Sequence, residues 1–313
     1  MREVIDLSAI SPSNLPAALG LVNNYVKVAS MLWIRALGEP TLDGIVARKW
    51  SREVAVALRS LAGVHRRGQV LLRIDKRGKR WSARRGGYLI KVEEAKTVLQ
   101  ELNDEEMIAV FLEPWSPYRD LYCLASVVVA EQKKMIVEIV GPGFDTSDLV
   151  RGDLLPHERF EISVPFESQT TRIPADLRRT HLVGPREYRR AVRQRLAKIG
   201  ARLKNPSNPQ EVLLHACDDG ESLRKDALRY LKRTRQTLLL RHSEAYTPIP
   251  QRYLRRFVAG VVRILAGLRK YRIDLGDITV SGAFTPRGRL VFWDFFPADT
   301  TRGAALFGPQ FRQ

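Results

Sequence analysis

Three consecutive runs limit most strongly what this chain can fold into: MIAVFL (Met107–Leu112), YCLASVVVA (Tyr122–Ala130) and KMIVEIV (Lys134–Val140). Each is rich in Val and Ile, and Pro and Gly punctuate them, so they predict neighbouring strands of an antiparallel sheet. Upstream, VLLRI (Val70–Ile74) and Tyr88–Ile90 read as short strands around a Gly86-Gly87 turn, and Val92–Leu102 reads as a helix. Phe160–Val164 reads as a further strand. Ile278–Ala283 and Arg289–Phe295 read as a hairpin around Thr285-Pro286-Arg287-Gly288.

Helical periodicity brackets these strands. Leu15–Leu37 carries Leu19, Val22, Val26, Ala29 and Trp33 at helical spacing and stops at Gly38-Glu39-Pro40. A second helix is expected over Ser51–Ala62. Three basic helices are expected between residues 186 and 272: Arg186–Lys204, Glu221 to about Leu240, and one behind Pro250. The last has Leu254, Phe257, Val258, Val261, Val262, Leu265 and Leu268 on one stripe. The order of helices, strands with one helix, helices and a hairpin predicts an α+β fold with helices covering a largely antiparallel sheet.

Charge narrows the partners. The chain has 313 residues, with 52 Lys+Arg against 34 Asp+Glu, a formal net charge of +18. Such a field attracts polyanions such as nucleic acid, nucleotide phosphates or an acidic membrane face. Two cysteines, Cys123 and Cys217, exclude a disulfide scaffold and fit a reducing compartment. The N-terminal residues do not read as a signal peptide and no apolar run reaches bilayer length, so a cytoplasmic protein without membrane association is expected. No named nucleic-acid-binding motif, nucleophile elbow, P-loop or Rossmann fingerprint is present.

Several residues carry candidate chemistry. Nine Lys/Arg fall between Arg66 and Arg85, followed by Gly86-Gly87. Backbone N–H groups of a glycine turn can converge on phosphate oxygens, with Lys76, Arg84 and Arg85 adding charge-assisted bonds. The same stretch can equally be a solvated hairpin tip. Trp81 within it can stack on a base or pack. Glu113, at the end of a strand, can meet a ligand or water. The loop from 141 to 158 holds Asp145, Asp148, Asp153, His157 and Glu158, and its acids suit Mg²⁺ better than calcium. Arg151 in that loop is a candidate contact to an acceptor or a γ-phosphate. Asp294 lies in the apolar run VFWDFF and needs a partner, either a metal or an arginine from the basic helices, with Asp277 and Asp299 as companions. The basic helices carry Arg252, Arg256 and Arg263 away from the apolar stripe, either as a solvated face or as a groove for a phosphate backbone.

From about Val64 to Asp299 the order of elements resembles the ATP-grasp fold of carboxylate–amine and related ligases. VLLRIDK looks like the phosphate-binding strand, with Arg73 or Lys76 where the family has Lys. WSARRGGYLIKVEEA looks like the lid loop and its helix, which implies phosphate contacts from Arg85, Gly86 and Gly87. MIAVFLEPWSPYRD looks like the adenine hinge, with backbone groups from Phe111 and Leu112 and a polar contact from Glu113. GDITVSGAFTPRGRLVFWDFFPAD looks like the metal-binding hairpin, with Asp277 and Asp294 as ligands. Where the family has Glu-x-Asn, this chain has Asp294-Phe295-Phe296, which leaves the second ligand to Asp299. The resemblance implies a short helical region over 1–64, then an ATP-grasp-like region over 65–313 of mainly antiparallel sheets with basic helices over 185–272. It also implies ATP and Mg²⁺ as cofactors and ligation of an acidic small molecule or a carrier-bound substrate. The alternative is a non-catalytic nucleic-acid-binding protein.

Overall fold

The computed structural model describes residues 4–22, 25–63, 68–76, 88–101, 107–113, 122–129, 134–144, 149, 154–163, 177–204, 239–273, 277–285 and 287–297. Trp81, Arg84, Arg85, Gly86, Gly87, Asp145, Asp148, Arg151, Asp153 and Asp299 lie outside them, as does nearly all of the helix expected over 221–240.

The fold is α+β and is built on two antiparallel sheets. The first has β2 (Gly44–Ala47) between β1 (Val4–Asp6) and β5 (Met107–Leu112), followed by β3 (Gln69–Lys76) and β4 (Tyr88–Lys91). The second runs β11 (Leu290–Pro297), β10 (Ile278–Phe284), β6 (Tyr122–Val129), β7 (Lys134–Val140), β8 (Glu158–Ser163) and β9 (Arg178–Leu182). Two of the expected boundaries are corrected. Residues 1–64 are not a separate helical region, because β1 and β2 hydrogen-bond into the first sheet. The helix expected over Leu15–Leu37 is two helices, α1 (Leu15–Leu21) and α2 (Val26–Ala36).

Strand β3 shows how sequence alternation places the site. Val70, Leu72 and Ile74 pack with Val54 and Leu58 of α3 (Arg52–Gly63) and Ala95 and Leu99 of α4 (Glu94–Glu101). Leu71 faces the other way, into the core shared with α2 and the second sheet. Side chains alternate along a strand, so Arg73 and Asp75 share Leu71's face. Asp75 Oδ2 there accepts the backbone N–H groups of Lys27 and Val28 at 2.9 and 3.3 Å. It caps α2 from a distant strand, a role that Tyr25 at the helix's own N-cap does not fill. Burial raises the Asp75 carboxyl above the usual range, with Lys27 and the two N–H groups opposing.

Helix α2 packs against β3 and against β11, the edge strand of the second sheet. It is buried at Val28, Ala29, Met31, Leu32, Trp33 and Ile34. Strand β2 is buried at all four residues, and Gly44 is obligatory: a Cβ there would overlap the carbonyl oxygen of Phe111. Helix α5 (Pro185–Lys204) buries Tyr188 and Val192, and α6 (Gln251–Lys270) buries Leu254, Phe257, Val258, Val261 and Leu268. No described helix is long and apolar enough to cross a membrane.

Candidate functional site

The two sheets meet through a charged pair. Arg73 on β3 donates from Nη2 to Asp294 Oδ2 on β11 at 3.1 Å, and the side chains are only 14% and 5% exposed. The partner that Asp294 needs is an arginine, supplied by a strand of the other sheet and not by a basic helix. Arg73 Nη1 is buried and has no hydrogen-bond partner among the described residues.

A β-bulge aims Asp294 at this partner. Simple alternation along VFWDFF would put Asp294 on the same side as Phe292. The register instead pairs Gly282 with Phe292 and Ser281 with Asp294, so Trp293 is the extra residue. Phe292 stacks on Phe257 of α6, at 5.4 Å between ring centroids. The bulge turns Asp294 to the opposite face, which is a recognised use of bulges. Register then sets a row across that face: Asp294, Ser281, Ala125, Glu138 and Arg159. Asp294 and Ser281 are buried, whereas Glu138 and Arg159 are part-exposed and 4.0 Å apart. Thr279 lies on the same face one row away. This polar strip was not singled out in the sequence. The signal was present as Ser281 and Thr279 alternating with apolar residues, but it acquires meaning only from the register.

Other predicted site residues are placed differently. Phe111 and Leu112 sit on β5, which is paired with β2 on one side and β3 on the other. Their backbone groups are shared between two ladders, so the expected adenine hinge is corrected: these groups are committed to the sheet. The ladder continues through Glu113 N–H to Asp43 O at 2.7 Å. Glu113 itself is buried and takes a bidentate contact from Arg289, Nη2 to Oε1 at 2.6 Å and Nη1 to Oε2 at 3.2 Å. It therefore ties the end of β5 to the hairpin turn. Lys76 ends β3 opposite Met107. Asp277 precedes β10 and is four residues from Ser281, the partner of Asp294, or about 13 Å along the strand. Asp277 and Asp294 are thus not brought together. Among the described residues no group of three or more His, Cys, Asp or Glu side chains is placed to hold a metal.

A second buried polar cluster lies behind the sheet. His157 is 1% exposed, and its Nδ1 accepts Gly141 N–H at 3.0 Å. Its ring lies 4.6 Å from Phe144, 4.9 Å from Tyr188 and 5.3 Å from Tyr246. Burial, with His181 adding to it, holds the imidazole down to about 3, so it is neutral at pH 7. The unfolded chain takes up this proton near pH 6.5 while the native chain does not. Stability is therefore expected to fall as pH drops from about 6.5 toward 3, by up to about 1.4 kcal/mol per pH unit, and to be insensitive to this group at higher pH. Urea unfolding at pH 7, 6 and 5 checks this. The native midpoint should fall more steeply than that of His157→Asn, and equal slopes would refute the assignment.

The arginines of α6 are largely spent on the fold. Arg263 makes a bidentate pair with buried Glu39, which raises its pKa. Arg256 donates to Gly288 O at 2.8 Å and lies over Phe284, and Arg252 lies over Tyr253.

No protein-family model matches the chain, and no curated protein matches it significantly.

Proposed function

We propose that this protein is an ATP-using enzyme of the ligase type, acting on an acidic or carrier-bound substrate, with the nucleotide phosphates held between the two sheets. One observation carries the reading. The strand that resembles the phosphate-binding strand and the hairpin that resembles the ligand-binding hairpin meet at Arg73 and Asp294, although they are 221 residues apart in the chain. The guanidinium fork suits a phosphate, because Asp294 holds one nitrogen while the other, Nη1, is buried and lacks a partner among the described residues. A phosphate oxygen would complete it. In such a site the protein's contribution is mostly positioning and charge neutralisation in a place shielded from water.

Magnesium comes to this chain from the resemblance alone. The described residues supply two carboxylates near the site, Asp294, already paired with Arg73, and Asp75, already accepting the Lys27 and Val28 N–H groups, and this does not fit a metal centre. No step is assigned to it.

The test is titration calorimetry of a non-hydrolysable ATP analogue, with and without Mg²⁺. Native protein is expected to bind in the micromolar range. Arg73→Lys, which keeps the charge and loses the fork, is expected to bind at least about tenfold more weakly. Absence of binding to the native protein overturns the proposal. Unchanged affinity in a folded Arg73→Lys removes the phosphates from this site.

A further inference from the structure

We infer that the outward face of α5 binds the phosphate backbone of a nucleic acid without reading its sequence. Inward, α5 buries Tyr188 and Val192. Outward it exposes Arg186, Arg189, Arg190 and Arg193. Residues 186, 190 and 193 follow i, i+4, i+7 spacing and so form one row, about 10 Å long at 1.5 Å per residue. Duplex nucleic acid presents about one negative charge per 1.7 Å of axis, so such a row meets several phosphates at once.

Opposition to this charge is weak. Glu187 turns back, with Oε2 accepting Gly184 N–H at 3.3 Å. Among the described residues Arg189 pairs with Glu244 alone, at 4.0 Å, with both side chains exposed, a geometry of little value in water. Arg186, Arg190 and Arg193 have no ion pair among the described residues. All these cations are arginines, whose fork matches phosphate. Among the described side chains, the outward face of α5 carries no large apolar group, so it lacks the apolar centre that a protein partner would bury.

This face is separate from the Arg73–Asp294 site. Tyr188 of α5 packs with Tyr246, whose hydroxyl bonds Glu158. Glu158 lies on the opposite side of the second sheet from Glu138 and Asp294, by alternation along β7 and β8.

The experiment is fluorescence anisotropy of the full chain with a single-stranded RNA and with a duplex DNA of the same length, over a salt series. The comparison is the triple variant Arg186→Gln, Arg190→Gln, Arg193→Gln, whose exposed positions leave the fold intact by circular dichroism. The native protein should bind with steep salt dependence. The variant's slope of log affinity on log salt should be smaller by about 2 to 3 for the duplex, roughly one per arginine removed. An unchanged slope, or no salt-dependent binding by the native protein, overturns the inference. Equal competition by polyglutamate of matched charge overturns the choice of nucleic acid. ATP-analogue binding should be the same in the variant and the native protein, so this proposal and the nucleotide proposal fail independently.

Discussion

Replacing Asp294 with alanine is expected to destabilise the protein by about 3 kcal/mol, with about 5 kcal/mol as the upper bound for breaking a buried ion pair. Nearly all of that comes from what remains. Arg73 keeps its charge at 14% exposure and loses its carboxylate, while its Nη1 is already without a partner among the described residues. Asp75, two residues along the same strand face, softens the loss because its carboxylate interacts with Arg73 through space. The lower end of the range is therefore expected. Urea denaturation measures it as a lower midpoint at unchanged slope. The double variant Arg73→Met, Asp294→Leu should recover most of the loss, since an apolar pair leaves no charge stranded. A cost below about 1 kcal/mol for Asp294→Ala would show that the pair is solvated, as exposed pairs of that worth are, and the phosphate proposal would lose its site.

Legibility in the sequence followed how much of each element's environment is local. Helix α6 was readable because one side of it is buried and the other is wet, so Leu254, Phe257, Val258, Val261 and Leu268 recur at helical period. The β10–β11 hairpin was readable from two apolar runs around a glycine-containing turn. Helix α2 was blurred: it is buried almost all round, and its capping acid, Asp75, lies 48 residues away from Lys27. Strands β1 and β2 have three and four residues, too few to show alternation, and exist because β5 pairs with β2. Strand β9, RRTHL, is polar because it is an edge strand, where charge protects against further pairing.

The site divides in the same way. Burial logic singled out Asp294 and required a partner for it, and the family resemblance pointed to Arg73. They could not pair the two, because the pairing depends on how one sheet meets the other. The direction of Asp294 was hidden as well, since a bulge at Trp293 reverses what alternation predicts. Phe111 and Leu112 failed as hinge groups for a related reason. An apolar run does not reveal whether its strand is central, and a central strand has no backbone groups to spare.

The other large effect is expected at Glu158, at the start of β8. Its side chain is fully buried and serves two hydrogen-bond donors and one ion pair. Tyr246 Oη donates to Oε2 at 3.0 Å, Ile249 N–H donates to Oε2 at 3.0 Å, and Arg179 Nε lies 2.7 Å from Oε1. Glu158→Ala strands the Tyr246 hydroxyl and the Ile249 amide in the interior, each at about 1–3 kcal/mol, so a total of about 3–4 kcal/mol is expected. The Arg179 contribution is discounted, because that side chain is 43% exposed and water replaces its partner. Glu158→Gln retains a carbonyl oxygen for the two buried donors and should cost about half as much. Tyr246→Phe removes one donor and should cost about 1 kcal/mol. These bonds fasten the stretch before α6 to the second sheet, with Tyr122 Oη to Pro248 O at 3.2 Å beside them. Hydrogen exchange should therefore show faster opening around Tyr246–Pro250 in Glu158→Ala while β3 and β11 keep their protection. If Glu158→Gln cost as much as Glu158→Ala, the negative charge itself would be the stabilising element, and the stranded donors would account for little of the loss.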